Sequence, residues 1–143
     1  MGGTMKVNTA RVWMGGIAGG VVWNAWSFFI GMRQGPLYEA MQKQGFFLKE
    51  PRYPFFVGQW IALLFVLSIL VAYLYAWTRA TSGPGLKTAV KVGMVAGFFA
   101  GFPGNFAQAA WSPIPRVLPL GWMLDFWGGA ILAAVVAGFL YKE

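Results

Sequence analysis

A helix needs about 20 apolar residues to cross roughly 30 Å of hydrocarbon, and this chain has four stretches of that kind, at 12–31, 55–77, 89–110 and 118–140. Backbone in lipid must satisfy its own hydrogen bonds. Four such stretches therefore predict an all-α polytopic membrane protein, with four transmembrane helices arranged as two antiparallel hairpins in a single membrane domain over 1–143. Composition agrees: 58% of residues are hydrophobic, 10% are charged and the mean hydropathy is +0.59, too apolar for the surface of a water-soluble domain. The first stretch is longer than a signal-peptide core, and Trp23 and Trp26 crowd the small-residue site at Ala25 to Ser27. It reads as a retained span.

The connections are short except for the first. Residues 32–54 carry charge of both signs, and Gly35-Pro36 followed by Leu37 and Met41 suits a short interfacial helix within 35–45, with proline in its first turn. Ser82-Gly83-Pro84-Gly85 is a turn, and Pro113 and Pro115 mark a tight link between the last two spans. The net charge of +7 comes from basic residues scattered at the ends of apolar runs, so the expected partner is the lipid bilayer and not nucleic acid. Lys6, Arg11, Arg79, Lys87, Lys91 and Lys142 would lie on one side, against Arg33, Lys43, Lys49, Arg52 and Arg116 on the other. The second loop is purely basic, which favours both termini in the cytoplasm of a bacterial inner membrane.

Small residues predict how the helices meet. Gly15 and Gly19, Gly16 and Gly20, and the series Gly93, Gly97 and Gly101 each recur every four residues on one helix face. Lipid gives helices no hydrophobic reason to associate, so close backbone approach at such faces does the work. The first and third spans are expected to be the inner pair; the alternative use of a glycine face is a homo-oligomer contact. Gly129, Ala133 and Ala137 form a weaker stripe in the fourth span. An internal duplication is also legible: Gly16 to Gly20 with Asn24 resembles Gly97 to Gly101 with Asn105, and Leu70 to Tyr75 resembles Val136 to Tyr141, a register that matches Gln59 with Asp125.

Polar residues inside apolar spans are the functional candidates. They are Asn24 and Ser27, Gln59, Asn105 and Gln108, and Asp125, of which Asn24, Gln59, Asn105 and Asp125, one from each span, lie at similar depth towards the first and third loops. An ionised carboxylate costs at least a few kcal/mol in hydrocarbon, so Asp125 must be protonated, paired or turned to water or protein. Arg116 is a candidate partner. Two readings stand, a proton- or cation-binding centre and a structural hydrogen-bond knot. Pro103-Gly104, just before Asn105, predicts a break in the third span that could bare carbonyls to the same layer.

Other chemistry is sparse. The chain has no cysteine and no histidine, and its acids are Glu39, Glu50, Asp125 and Glu143. No catalytic set, metal site or cofactor is predicted. Trp23, Trp26, Trp60, Trp111, Trp122 and Trp127 cluster towards one side, as an interfacial belt does; some of them, with Asp125, could instead box a cationic group.

Arg11, Gly19, Gly20, Trp23 and Asn24 give the first span a pattern that resembles small four-span bacterial inner-membrane families of uncharacterised function. In size and aromatic richness the chain is also similar to tryptophan-rich sensory proteins, which have five spans where this chain has four. Neither resemblance implies an activity. The function expected is a small membrane protein with an intramembrane polar site, for proton- or cation-linked transport or for binding a small ligand or lipid. The alternative is a non-catalytic accessory or assembly subunit of a larger membrane complex; an intramembrane enzyme is disfavoured.

Overall fold

A computed structural model describes residues 6–143. They form four helices, α1 (Thr9–Lys43), α2 (Phe56–Ser82), α3 (Leu86–Trp111) and α4 (Val117–Leu140), with no strand among the described residues. The all-α expectation holds. Even α4, the shortest at 24 residues, is about 36 Å long at 1.5 Å per residue. By length and composition, α2 and α4 could cross a membrane. α1 and α3 are as long but more mixed in composition, because glycines, carboxamides and basic residues interrupt their apolar runs.

α1 departs from the sequence expectation in its second half. It does not stop near Gly31 and restart within 35–45, but runs unbroken for 35 residues through Gly35 and Pro36. A proline inside a helix removes one hydrogen bond and crowds the preceding turn. Here Gln34, Leu37, Tyr38 and Met41 recur at helical spacing. Gln34 bonds to the head of α4, while Met41 packs with Ile114 and Leu118, flanked by Leu37 and Tyr38. That stripe carries the helix across the proline, and Gly45, at φ +81°, turns the chain just beyond it.

α4 organises the bundle. It packs against α1, α2 and α3, whereas α1 and α3 make no close backbone approach to each other. The glycine stripes therefore do not make the first and third spans a mutual inner pair; the α3 stripe and the Gly15 and Gly19 stripe of α1 pack against α4. A Cβ on Gly15 would stand 2.9 Å from the Cα of Ala137, and one on Gly19 would stand 3.1 Å from the Cα of Ala133. On the other side of α4, a Cβ on Gly97 would lie 2.8 Å from the Cα of Trp127, with Gly93 against Ile131 and Gly101 against Phe126. Gly16 and Gly20 face α2 instead, at Ile69 and Phe65. All seven glycines are buried inside the chain.

Of the helix pairs in contact, α2 and α3 meet least, and an apolar groove of about 670 Å³ runs between them, walled by Leu67, Leu74, Val95 and Phe99 with Trp23 at its floor. At the end of the bundle that holds the 83–85 turn, two tyrosines close the structure. The Tyr75 hydroxyl accepts the Gly85 N–H at 3.1 Å and the Tyr141 hydroxyl accepts the Asn8 N–H at 3.0 Å, with the rings edge-on 6.2 Å apart. These tyrosines hold equivalent places in the sequence repeat. So do Asn24, which donates to the Gly20 carbonyl at 2.9 Å, and Asn105, which donates to Gly101 at 2.7 Å. Gln59 and Asp125 break the correspondence, since one is exposed and the other buried.

The packing at α4 makes a direct prediction. Gly97→Leu should lower unfolding stability by at least about 1–3 kcal/mol, the usual loss on overpacking. Gly104→Ala, whose Cβ meets nothing within 4 Å, should leave stability within about 1 kcal/mol of wild type. Denaturation in detergent reads both, and a wild-type midpoint for Gly97→Leu would contradict the α3–α4 contact.

Candidate functional site

Asp125 lies about two turns into α4 and is only 5% exposed. A carboxylate so placed needs donors, and α1 supplies them. Oδ1 accepts the Trp23 indole N–H at 3.2 Å, and Oδ2 accepts the Ser27 hydroxyl at 2.6 Å. Trp23 and Ser27 are four residues apart, hence on one helix face. The Ser27 oxygen in turn accepts the indole N–H of Trp60, from α2, at 3.2 Å. An indole can only donate, so the Ser27 proton is left for the carboxylate. Three helices are tied at this point. Gly129, one turn beyond Asp125, makes the room: any Cβ there would overlap the Trp23 ring.

A second tie lies one turn nearer the head of α4. Gln34 is 5% exposed, and its Nε2 donates to the carbonyls of Val117 and Leu118 at 3.1 and 3.2 Å, across Gly121. Those two carbonyls fix which end of the carboxamide points at them, because the reverse orientation would set oxygen against oxygen. The Gln34 Oε1 is buried without a partner. Beside it, the Tyr38 hydroxyl accepts the Trp122 indole N–H, and the two rings pack 6.4 Å apart.

These groups open on a cavity of about 710 Å³. Its polar members are Asn24, Ser27, Gln34, Tyr38, Asn105 and Asp125. Aromatic walls come from Phe28, Phe47, Phe56, Trp60, Trp122 and Phe126. No lining residue is basic, so Asp125 is the single charged group. Trp60 and Phe126, in edge contact at 5.8 Å, and Trp23, edge-on to Phe126 at 6.2 Å, separate this cavity from the α2–α3 groove.

The predicted site residues divide. Asn24 and Asn105 line the cavity with Asp125, but each donates to a carbonyl of its own helix one turn back and neither bonds the carboxylate. Gln59 is exposed and outside the cavity. Gln108 is also exposed and borders a separate space of about 240 Å³ beside the third loop. Arg116 is exposed at the head of α4 and does not partner Asp125, whose bonds go to Trp23 and Ser27; the ion pair found among the described residues is Arg79 with Glu143, at 3.7 Å. α3 passes through Pro103 and Gly104 as one helix, so the expected break is not formed, and the Asn105 carboxamide adds a donor at Gly101 just before the proline.

Sequence reasoning missed Gln34 and Tyr38 as site residues, and it offered Trp23 and Trp60 as ring faces for a cation and not as hydrogen-bond donors at Asp125. The spacing of Trp23 and Ser27 was an available signal. Five of the six clustered tryptophans donate their indole N–H inside the chain, with Trp26 reaching Leu124 and Trp127 reaching Met94. Trp111, 90% exposed, makes no such bond. No protein-family model, curated protein or solved structure matches the chain, so the site is interpreted from its own geometry.

The Ser27–Asp125 bond is testable by a double-mutant cycle. A hydrogen bond to a charged group contributes about 1.5–3 kcal/mol, so Ser27→Ala and Asp125→Asn should each destabilise the fold. Together they should lose less than the sum, with a coupling of about 0.5–3 kcal/mol in equilibrium unfolding. Strictly additive losses would mean that the two groups do not interact.

Proposed function

We propose that this chain is a four-span membrane protein, built of two related hairpins, that binds a small ligand in the cavity at Asp125. The observation that carries the proposal is a buried carboxylate on the wall of a cavity of about 710 Å³ that contains no base to neutralise it. A purely structural knot gains nothing from such a space, whereas a ligand site needs one of about 300–1,000 Å³ with apolar walls and a few convergent polar groups.

The four crossings are supported by what the helices turn outward. On α1 these residues include Trp13, Ile17, Val21 and Phe28, and on α3 Val95, Phe98, Phe99 and Phe106, all exposed. Such faces suit acyl chains and not water. The matched asparagine and tyrosine bonds support the duplication. With both termini on the cytoplasmic side of a bacterial inner membrane, the cavity lies towards the outer face.

Topology is checked by single cysteines, since the native chain has none. Ser82→Cys and Pro113→Cys should be labelled by an impermeant maleimide from opposite sides of the membrane. Crossing by α2 and α4 alone would put both on one side.

The ligand reading is checked by filling the cavity. Gly31 lines it, and a Cβ there meets nothing within 4 Å, so Gly31→Trp can occupy the space without disturbing the bundle. The detergent-purified protein should be stabilised by at least one of octylammonium, octanol and octanoate, and Gly31→Trp should abolish the response while retaining its fold. If none of the three binds wild type, or if Gly31→Trp responds as wild type does, the cavity is not the site.

A further inference from the structure

We infer that the ligand of this cavity is an amphiphilic primary ammonium, an inference that rests on the ligand-binding reading above and names its chemical class. It follows from how the lining groups use their hydrogen-bonding capacity.

The strong N–H donors in the cavity wall are already engaged within the protein. The Trp60 indole is bonded to Ser27, the Trp122 indole to Tyr38, and the Gln34 Nε2 to the carbonyls of Val117 and Leu118. The carboxamide nitrogens of Asn24 and Asn105 face the carbonyls of Gly20 and Gly101. What remains for a ligand is mostly acceptor. The Gln34 Oε1 is buried with no partner at all, and the Asp125 carboxylate holds only two of the roughly four donors that its oxygens can accept. The oxygens of Asn24 and Asn105 are the ends of those side chains not bonded to the helix. Against this set stand two protons without an acceptor, the hydroxyl proton of Tyr38, whose oxygen accepts from Trp122, and the second Nδ2 proton of Asn105; the second proton of Asn24 reaches the Ile61 carbonyl at 3.5 Å.

A ligand that matches a surplus of acceptors must bring donors, and one that matches a lone acid without a base must bring positive charge. A primary ammonium brings three donors and a single charge. Gln34 lies over Gly121 and Asp125 follows four residues later, so the two acceptors occupy neighbouring turns of one wall. Around them, Trp60 and Trp122 offer ring faces, which attract a cation. Phe28, Phe56 and Phe126 offer an apolar surface for the rest of the molecule. A ligand that turned a carboxylate or phosphate towards these acceptors would find no basic residue in the lining to receive it.

The ammonium can be a free amine or the ethanolamine headgroup of a lipid. The same chemistry binds both, and competition separates them.

The test compares octylammonium with octanol and octanoate, which share the chain and differ in the head. Binding is read by thermal stabilisation and by tryptophan fluorescence of the purified full chain. Octylammonium should bind about ten- to a hundredfold more tightly than octanol, octanoate should not bind, and Asp125→Asn should remove the preference. Should Asp125→Asn not fold, Gln34→Met keeps the question answerable: it deletes the unpaired acceptor and should weaken octylammonium while sparing octanol. Short-chain phosphatidylethanolamine that displaces octylammonium identifies a lipid headgroup as the source, and failure to displace identifies a free amine; both support the assignment. Equal binding of octanol and octylammonium, blocked by Gly31→Trp, would overturn the ammonium class while leaving the cavity as a ligand site. Absence of binding by all three would overturn both.

Discussion

A carboxyl group buried among apolar helices must be given hydrogen-bond donors, and the way Asp125 obtains them sets the relative position of α1, α2 and α4. Trp23 and Ser27 reach it from one face of α1, and Trp60 of α2 reaches Ser27. Sliding any of these helices by one residue would separate donors from acceptors by about 1.5 Å along the axis and rotate them by roughly 100°. Apolar packing alone tolerates such slips, because one greasy side chain substitutes for another. Directional bonds to a single acid do not. Register is thereby specified where dispersion forces specify it weakly.

The cavity is a consequence of the same arrangement. α1 is long enough to extend past the first turns of α4, where Gln34 grips the Val117 and Leu118 carbonyls. Its glycine face brings it close to α4 at the other end, against Ala133 and Ala137. Near contact at one end and bulky aromatic side chains at the other leave an open space towards the first and third loops. The polar groups sit in that widened half, so the part of the bundle that is least tightly closed is also the part that carries charge.

Depth was readable from the amino-acid pattern, and helical phase was not. Asp125, Asn24 and Asn105 were recognised because a polar residue in an apolar run is conspicuous, and all three line one cavity. Gln59 was placed with them on depth alone. Its neighbour Trp60 is the residue that turns inward, and a step of one position rotates a side chain by about 100°. The donors went unrecognised for a different reason: a tryptophan near a membrane surface has a ready explanation in the interface, which hides its N–H as a donor to a buried acid. The continuation of α1 was obscured by Gly35-Pro36, a pair that signals a boundary locally and is overridden by packing along Gln34, Leu37, Tyr38 and Met41. The glycine stripes announced close approach correctly, but nothing in their spacing says which helix approaches. The shared partner proved to be α4, whose stripe of Gly129, Ala133 and Ala137 holds a single glycine.

That shared partner has an implication for biosynthesis. α1 and α2 pack together, but α3 meets α2 only lightly and makes no close backbone approach to α1, so of the three helices that leave the ribosome first the third has little to hold it to the other two. Until the fourth emerges, the indole of Trp23 and the hydroxyl of Ser27 lack their acceptor, and Gly15 and Gly19 of α1 and the glycine face of α3 stand without their α4 partner. Assembly is thus completed by a late keystone, and a nascent chain interrupted before residue 117 would present unmated small-residue surfaces to whatever surrounds it.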